Sequence, residues 1–379
     1  MNGCYNTRSS GGVMMLRKVL VILLCISSQL SIAEEVENLY VSLVAVADQS
    51  AESKQGGISE ALKNVLVKLT GNGEILQLSR LSPSFDNAST YIDALSFQDL
   101  PAASNRASQD LIDTPIGLRV SFSRSAIDEL IRNNQLPVLP SNRPKLLVWV
   151  VIDDSATGRE FLGQDSSSLA DNNIGADIIT ELSEVMTERG IPYMLPTFDL
   201  EDQLALPIES AWNLQADKIQ SASQRYSADG WVALRFYRTS SGDVRGAWVY
   251  QVAGRRQLGD FNAERDQPLI TSAVNNILNS LTGSFSYIPR GDINSLLVEI
   301  TGINTYSDYQ RVNEQFKKLE IVSSFDLFST RESQITLSVS AEGGAALLHK
   351  ALVRSGYFRS RSVNLPNESE YLVFDWTAK

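Results

Sequence analysis

A few carboxylates, one histidine and a small set of aromatic residues are the side chains in this sequence whose placement could support chemistry. Asp153 and Asp154 follow the apolar run 145–152 (KLLVWVVI), and Asp199, Glu201 and Asp202 follow the strand-like stretch 191–195. Open α/β sheets bind ligands outside the carboxyl ends of their strands. If the two strands are parallel neighbours, Asp153 or Asp154 could meet Asp199 or Asp202 as a cation site or as an acid–base pair for hydrolysis. Aspartate also ends strands, opens turns and caps helices with no ligand involved, so a structural role accounts for the same residues. Arg189 and Arg225, both near helix ends, read as surface cations that offset helix dipoles rather than as anion receptors.

The other chemistries lack their residues. His349 is the one histidine, and both cysteines, Cys4 and Cys25, lie near the amino terminus. No metal-ligand spacing results, and neither a metal nor another cofactor is expected. No serine stands in a G-x-S-x-G elbow, no G-x-G-x-x-G follows a strand, and there is no Walker-type loop. His349 reads as a boundary residue of a packed helix, and Gly242 and Gly246 as turn glycines of a hairpin. The aromatic alternative rests on Trp248 and Tyr250, which share one face of a strand, with Arg245 at its exposed end. A wet face there would stack on a sugar or grip a peptide, whereas a buried one would be core. Trp149 and Trp231 read as core.

These residues sit in three successive units. In the first, 34–140, a strand over 40–46 precedes a helix on which Ile58, Leu62, Val65, Leu66 and Leu69 make one apolar face, stopped by Gly71. Residues 81–114 are polar and mixed, and a strand over 116–122 and a short helix over 125–132 complete this α+β unit. Prolines 137, 140 and 144 mark the linker. The second unit, 145–283, opens with the apolar run, which reads as a central strand covered on both faces. Residues 155–168 read as a loop. Helices over 174–189 and 212–226, a hairpin of 230–238 and 245–253 closed by Ser240-Ser241-Gly242-Asp243, and a helix over 268–281 follow. The third, 295–379, shows the β-α-β-β-α-β order of a ferredoxin-like unit. The fold class is therefore mixed α/β, or α+β, in several small two- or three-layer units.

The amino terminus reads as an export signal. Arg17 and Lys18 precede the apolar run 19–26 (VLVILLCI), and Ser31-Ile32-Ala33 offers a cleavage site before Glu34. The run is too short to cross a bilayer, which takes roughly 20 apolar residues, and no second run of that length follows. Cleavage removes both cysteines and three cations, moving the formal charge from −11 to −14. A chain so acidic is not built for a long nucleic-acid footprint.

Val44-Ala45-Val46-Ala47-Asp48-Gln49-Ser50, Val65-Leu66-Val67-Lys68-Leu69-Thr70-Gly71, Leu146-Leu147-Val148-Trp149, Arg189-Gly190-Ile191-Pro192, Arg225-Tyr226 and Trp248 form a set of short stretches. Together they resemble DUF2066, an uncharacterised family of secreted proteobacterial envelope proteins. The resemblance spans most of residues 40–250 and implies an exported protein, but brings no catalytic residue or cofactor. The sequence thus predicts a periplasmic, non-enzymatic accessory or scaffold protein that binds an envelope protein or complex, with no transmembrane span in the mature chain. A glycan or small envelope-ligand module and a carboxylate-dependent hydrolase are the alternatives.

Overall fold

A computed structural model of the chain describes residues 38–100, 116–141, 143–154, 158–163, 174–264, 268, 270–289, 291, 293–361 and 371–377. The expected leader, 1–33, lies outside these residues. No helix among the described residues is long and apolar enough to cross a membrane.

The first unit packs a long helix on a three-stranded sheet. Strand β1 (Val41–Val46) leads into α1 (Ala51–Thr70), where the Ser50 hydroxyl caps the helix by accepting from the Ser53 N–H at 3.2 Å. Gly71, in the left-handed region at φ +66, ends it. The five apolar positions of the predicted face are all buried, among a core that also takes side chains from the sheet. A single turn, α2 (Ser82–Asp86), precedes β2 (Ile92–Gln98). Strand β3 (Ile116–Phe122) lies between β1 and β2, antiparallel to both, and α3 (Arg124–Asn133) follows it. The stretch 81–114 therefore holds a strand that its mixed composition conceals. β2 is an edge strand with most side chains exposed, and its ladder slips between Ile92 and Ala94.

The central unit is a mixed sheet with helices on both faces. Its elements are β4 (Leu146–Asp154), β5 (Gly158–Leu162), α4 (Ile174–Glu188), β6 (Tyr193–Met194), α5 (Leu200–Ala205), α6 (Ile208–Trp212), α7 (Ala216–Ser223), β7 (Gly230–Arg238), β8 (Val244–Val252), β9 (Arg255–Ala263) and α8 (Thr271–Phe285). The strands run in the order β5-β4-β7-β8-β9, with β6 paired to the start of β4. β4 is parallel to β6 and β7, and the remaining pairs are antiparallel. Alternation sends even-numbered side chains such as Val148, Val150, Val232 and Leu234 under α4 and α8, and odd-numbered ones such as Leu147, Trp149, Trp231 and Ala233 under α6 and α7. With both faces covered, β4 is apolar without a break, as its sequence predicts. The span 155–168 is corrected: its described part includes β5. The hairpin gains a third strand, β9, and the helix read over 212–226 is broken between Trp212 and Ala216, with Leu214 at φ +49.

The last unit follows the predicted order with one addition. Strand β10 (Ile293–Thr301), α9 (Tyr306–Lys318), β11 (Val322–Arg331), β12 (Gln334–Glu342), α10 (Gly344–Arg354), β13 (Phe358–Ser360) and β14 (Tyr371–Trp376) give the sheet order β11-β12-β10-β14-β13. α9 opens with a capping box between Thr305 and Asp308. Both helices pack into one core on one face of the sheet. The extra strand β13 reverses the chain before β14, so β14 lies parallel to β10 and the sheet is mixed rather than wholly antiparallel. Three sheets with their helices make a multidomain, mixed α/β fold.

Two arginines fasten the first unit to the second. Arg143, 1% exposed, donates from Nη1 to the Arg189 and Gly190 carbonyls at 2.9 and 2.8 Å, and from Nε to the Pro140 carbonyl at 3.1 Å. Arg189, 4% exposed, donates to the Gly71 carbonyl at 2.6 Å, to Asn275 Oδ1 at 2.6 Å and to Asn279 Oδ1 at 2.9 Å. Burial pushes the Arg143 guanidinium down to about 10 and lowers that of Arg189. The reading of Arg189 as a surface cation is therefore wrong. Its position after a helix puts it against the end of α1, where Gly71 offers an unsatisfied carbonyl.

Candidate functional site

Three of the candidate acids, Asp153, Asp199 and Asp202, divide between two arginines. Asp153, on the odd face, pairs across the ladder with Arg159 of β5, whose Nε meets its Oδ2 at 2.8 Å. The same guanidinium reaches Glu209 of α6 at 2.6 Å and lies over the Trp212 ring, 4.5 Å from its centroid. Asp154 follows on the opposite face of β4. Asp199 caps α5, accepting from the Asp202 N–H at 3.0 Å, and both its oxygens take a fork of 2.6 Å bonds from Arg225. Those bonds hold the Asp199 carboxyl well below the usual carboxylate range.

Asp202 has a fully buried side chain. It accepts from the Phe198 N–H at 2.9 Å, from Arg225 Nη1 at 3.0 Å and from the Tyr226 hydroxyl in a short contact. Burial, and then this bond, raise the pKa of Tyr226. The strands β4 and β6 are adjacent and parallel, as the cation-site and acid–base readings require, yet the acids on either side bind separate arginines. No group of three or more His, Cys, Asp or Glu among the described residues could hold a metal ion. A general base needs an accessible lone pair and a proton affinity near the working pH. Asp199, with both oxygens on a guanidinium, has neither.

Arg245 also separates from the aromatic pair Trp248 and Tyr250, for a reason visible in their numbering. Arg245 is odd and Trp248 and Tyr250 are even, so on a regular strand they project from opposite faces. Trp248 (8% exposed) and Tyr250 (3% exposed) stack at 5.9 Å within the core shared with α8. The Tyr250 hydroxyl bonds Gln257 Oε1 at 3.0 Å and Ser280 Oγ at 2.9 Å. Trp248 lies against Gly259, where an added Cβ would come within 2.6 Å of the indole. These two rings are core, not a wet platform. Trp149 and Trp231 are core as well, their indole N–H groups bonded to Ser223 and Gln220. His349 lies on α10 at 5.4 Å from the Phe374 ring, with Nε2 2.7 Å from Ser360 Oγ, and burial lowers its pKa.

Arg245 lines a cleft that the sequence does not assemble. Beyond Trp212, at the carboxyl end of β7, a cleft of about 460 Å³ opens, lined by Trp212, Arg235, Tyr237, Arg245, Asp260 and Asn262. Strand register explains the grouping. Arg235, Ala247 and Asp260 are partners across β7, β8 and β9, as are Tyr237, Arg245 and Asn262. The second row continues through Asp153 of β4 to Arg159 of β5. Five strands thus carry a continuous line of polar side chains, in which the predicted residues Asp153 and Arg245 share one row.

The floor of this cleft is aromatic and cationic. The Arg235 guanidinium lies 5.2 Å from the Trp212 centroid, and its Nε is buried with no acceptor among the described residues. Tyr237 is 43% exposed. Gly246 serves close approach rather than a turn: a Cβ there would fall 2.4 Å from both the Arg235 carbonyl and the Phe261 ring. Gly242, at φ +94, is the turn residue. Arg235 and Tyr237 were within reach of the sequence, since they share parity on the strand paired with Arg245. Asp260 and Asn262 were not, because they lie on the unrecognised β9.

Comparison with known proteins corrects the family resemblance. A domain family of unknown function, DUF8605, matches residues 33–140, and DUF2066 does not match. No curated protein matches the sequence. Among solved structures, a competence-damaged protein (CinA) superfamily protein from Enterobacter cloacae is 15% identical, with a TM-score of 0.22 over 38% of this chain and 82% of that one. A competence or damage-inducible protein from Enterobacter asburiae is also 15% identical, with a TM-score of 0.22 over 38% and 87%. Protein VC0702 from Vibrio cholerae is 12% identical, with a TM-score of 0.18 over 37% and 72%. At these scores the likenesses carry no functional content.

Proposed function

We propose that the chain is a non-enzymatic accessory protein of the periplasm that holds an envelope protein or complex, and that it holds it at the cleft beside Trp212. The observation that carries this reading is the Arg235 Nε, buried beside an open cleft and lacking an acceptor among the described residues. A buried donor without a partner is costly, and a carboxylate or carbonyl from an extended segment would satisfy it. Arg245 and Asn262 in the neighbouring row supply further donors, and Tyr237 an exposed ring for an apolar contact. A binding role is favoured over hydrolysis because Asp153, Asp199 and Asp202 are committed to ion pairs and caps. The periplasmic setting rests on the tripartite amino-terminal sequence.

A photo-crosslinking residue at position 237 tests the proposal in cells, with one at the exposed Leu258 of β9 as the control. One reproducible envelope protein is expected from 237 and not from 258, with yield falling when Arg245→Glu reverses the charge at the cleft mouth. Equal yields from both positions, or a yield that Arg245→Glu leaves unchanged, would defeat it. A glycan is the second reading, favoured by the exposed Tyr237 ring beside Asn262 and Asp260. Retention of the purified chain on envelope polysaccharide, lost in Tyr237→Ala, would support that reading instead.

A further inference from the structure

A second cavity lies at the opposite end of β7 and β8, where the central unit meets α10. Its volume is about 520 Å³, within the range of roughly 300–1,000 Å³ usual for small-molecule pockets. Val252, Ala253, Phe285, Leu347 and Val353 form an apolar wall. Around that wall stand four cations, Arg143, Arg255, Lys350 and Arg354, against one carboxylate, Asp229. One oxygen of Asp229 already accepts from the Lys145 backbone N–H at 2.8 Å. This local balance is the reverse of the chain as a whole, whose formal charge is −11.

Among the described residues none of the four cations has an ion-pair partner. Arg143 spends its donors on backbone carbonyls and forms part of the fixed lining. Arg354 reaches from α10 across to α8, where its guanidinium lies 5.3 Å from the Phe285 centroid and its Nη1 is buried without an acceptor among the described residues. Arg255 and Lys350 are exposed at the rim. Unpaired cations gathered on an apolar wall describe a ligand with two ends. An inorganic anion alone would leave the wall wet, and a neutral apolar molecule would leave the Arg354 donor unmet.

We propose that this cavity binds an amphiphile with a compact anionic head and a single apolar chain. The head sits among Arg354, Arg255 and Lys350, and the chain lies along Val252, Phe285 and Val353. A guanidinium fork suits a carboxylate or a phosphate equally in geometry, so the two share one recognition chemistry. The site shares no residue with the Trp212 cleft and does not depend on the function proposed for it.

Calorimetric titration of the purified chain tests this with four probes below their micellar concentrations: dodecyl phosphate, dodecanoate, dodecyl maltoside and inorganic phosphate. At least one of the first two should bind at one per chain, about tenfold or more tighter than either of the last two. Which of them binds better identifies the head group. The double variant Arg255→Gln/Lys350→Gln alters only exposed rim residues and should weaken that binding about tenfold with an unchanged melting temperature. Arg354→Gln should weaken it further if its circular dichroism is native. Failure of both anionic amphiphiles to bind, equal binding of the maltoside or of free phosphate, or wild-type affinity in the double variant would overturn the proposal.

Discussion

Arg189 and Arg225 occupy similar places in the sequence, each just past a helix and next to a short apolar stretch, yet the fold uses them in opposite ways. Arg189 is buried between units, and its hydrogen-bond partners are neutral: the Gly71 carbonyl, 118 residues earlier, and the amides of Asn275 and Asn279. Arg225 is partly exposed and gathers three carboxylates within one helical turn, Asp199, Glu201 and Asp202. The first is a fastener whose value is the desolvated bonds it completes. The second is an electrostatic clamp that keeps α5 against α7. A cation at a helix end thus takes its role from what a distant part of the chain brings to it, and helix dipoles decide little in either case.

The comparison predicts unequal costs. Arg189→Ala leaves the Gly71 carbonyl and two asparagine side chains without their charged donor in a dry junction, and should cost about 3 kcal/mol. Urea unfolding with an unchanged m-value would measure it. A loss no larger than that of a surface alanine would mean that the junction admits water and that Arg189 is no fastener. Asp202→Ala should cost about 2 kcal/mol, because the Phe198 N–H and the Tyr226 hydroxyl lose a buried acceptor. Fluorescence of the Trp149 cluster should report the change, since Phe198 and Tyr226 both pack edge-on against that indole.

The same contrast between buried and exposed settings governs what was legible in the sequence. The interior strands β4, β7 and β8 are readable because helices cover both faces and force apolar residues at nearly every position. β2, β5, β9 and β13 are not legible in the sequence, and each is an edge. An edge strand needs pairing on one side only and is free to carry residues such as Arg255-Arg256-Gln257 on exposed positions. The cleft was half lost for this reason, since Asp260 and Asn262 lie on β9. Trp248 and Tyr250 lie close to Arg245 along the chain, but parity sets them on the other face. The candidate acids were located correctly at strand and helix ends, but nothing local revealed that Arg159 and Arg225 would occupy them.

Arg225→Ala should be milder than either buried change, and its cost should depend on salt. Two of the three pairs it breaks, those to Asp199 and Glu201, are in contact with solvent, where screening competes with them, and the buried Asp202 keeps the Phe198 N–H and the Tyr226 hydroxyl as donors. Thermal melts at low ionic strength should separate variant from parent, and the gap should narrow as salt is added. The corresponding gap for Arg189→Ala should hardly move. Equal salt sensitivity in the two variants would erase the distinction between fastener and clamp.

The smallest effect expected is the dependence of the clamp on pH. Arg225 lowers the pKa of Asp199 in the folded chain, whereas in the unfolded chain the carboxyl returns to about 3.9. Above that value Asp199 is ionised in both states, and the clamp contributes its full stabilisation. As pH falls below it, the unfolded chain takes up a proton that the folded chain resists, so the contribution shrinks and is gone once pH passes the folded value. Parent and Asp199→Asn should therefore differ by a constant amount from neutral pH down to the unfolded value and converge in stronger acid. The carboxyl carbon of Asp199, followed by NMR, should titrate well below the unfolded value of about 3.9. A midpoint at that unfolded value would show that the Arg225 fork opens in solution, and would return Asp199 to the accessible carboxylates that a hydrolytic site requires.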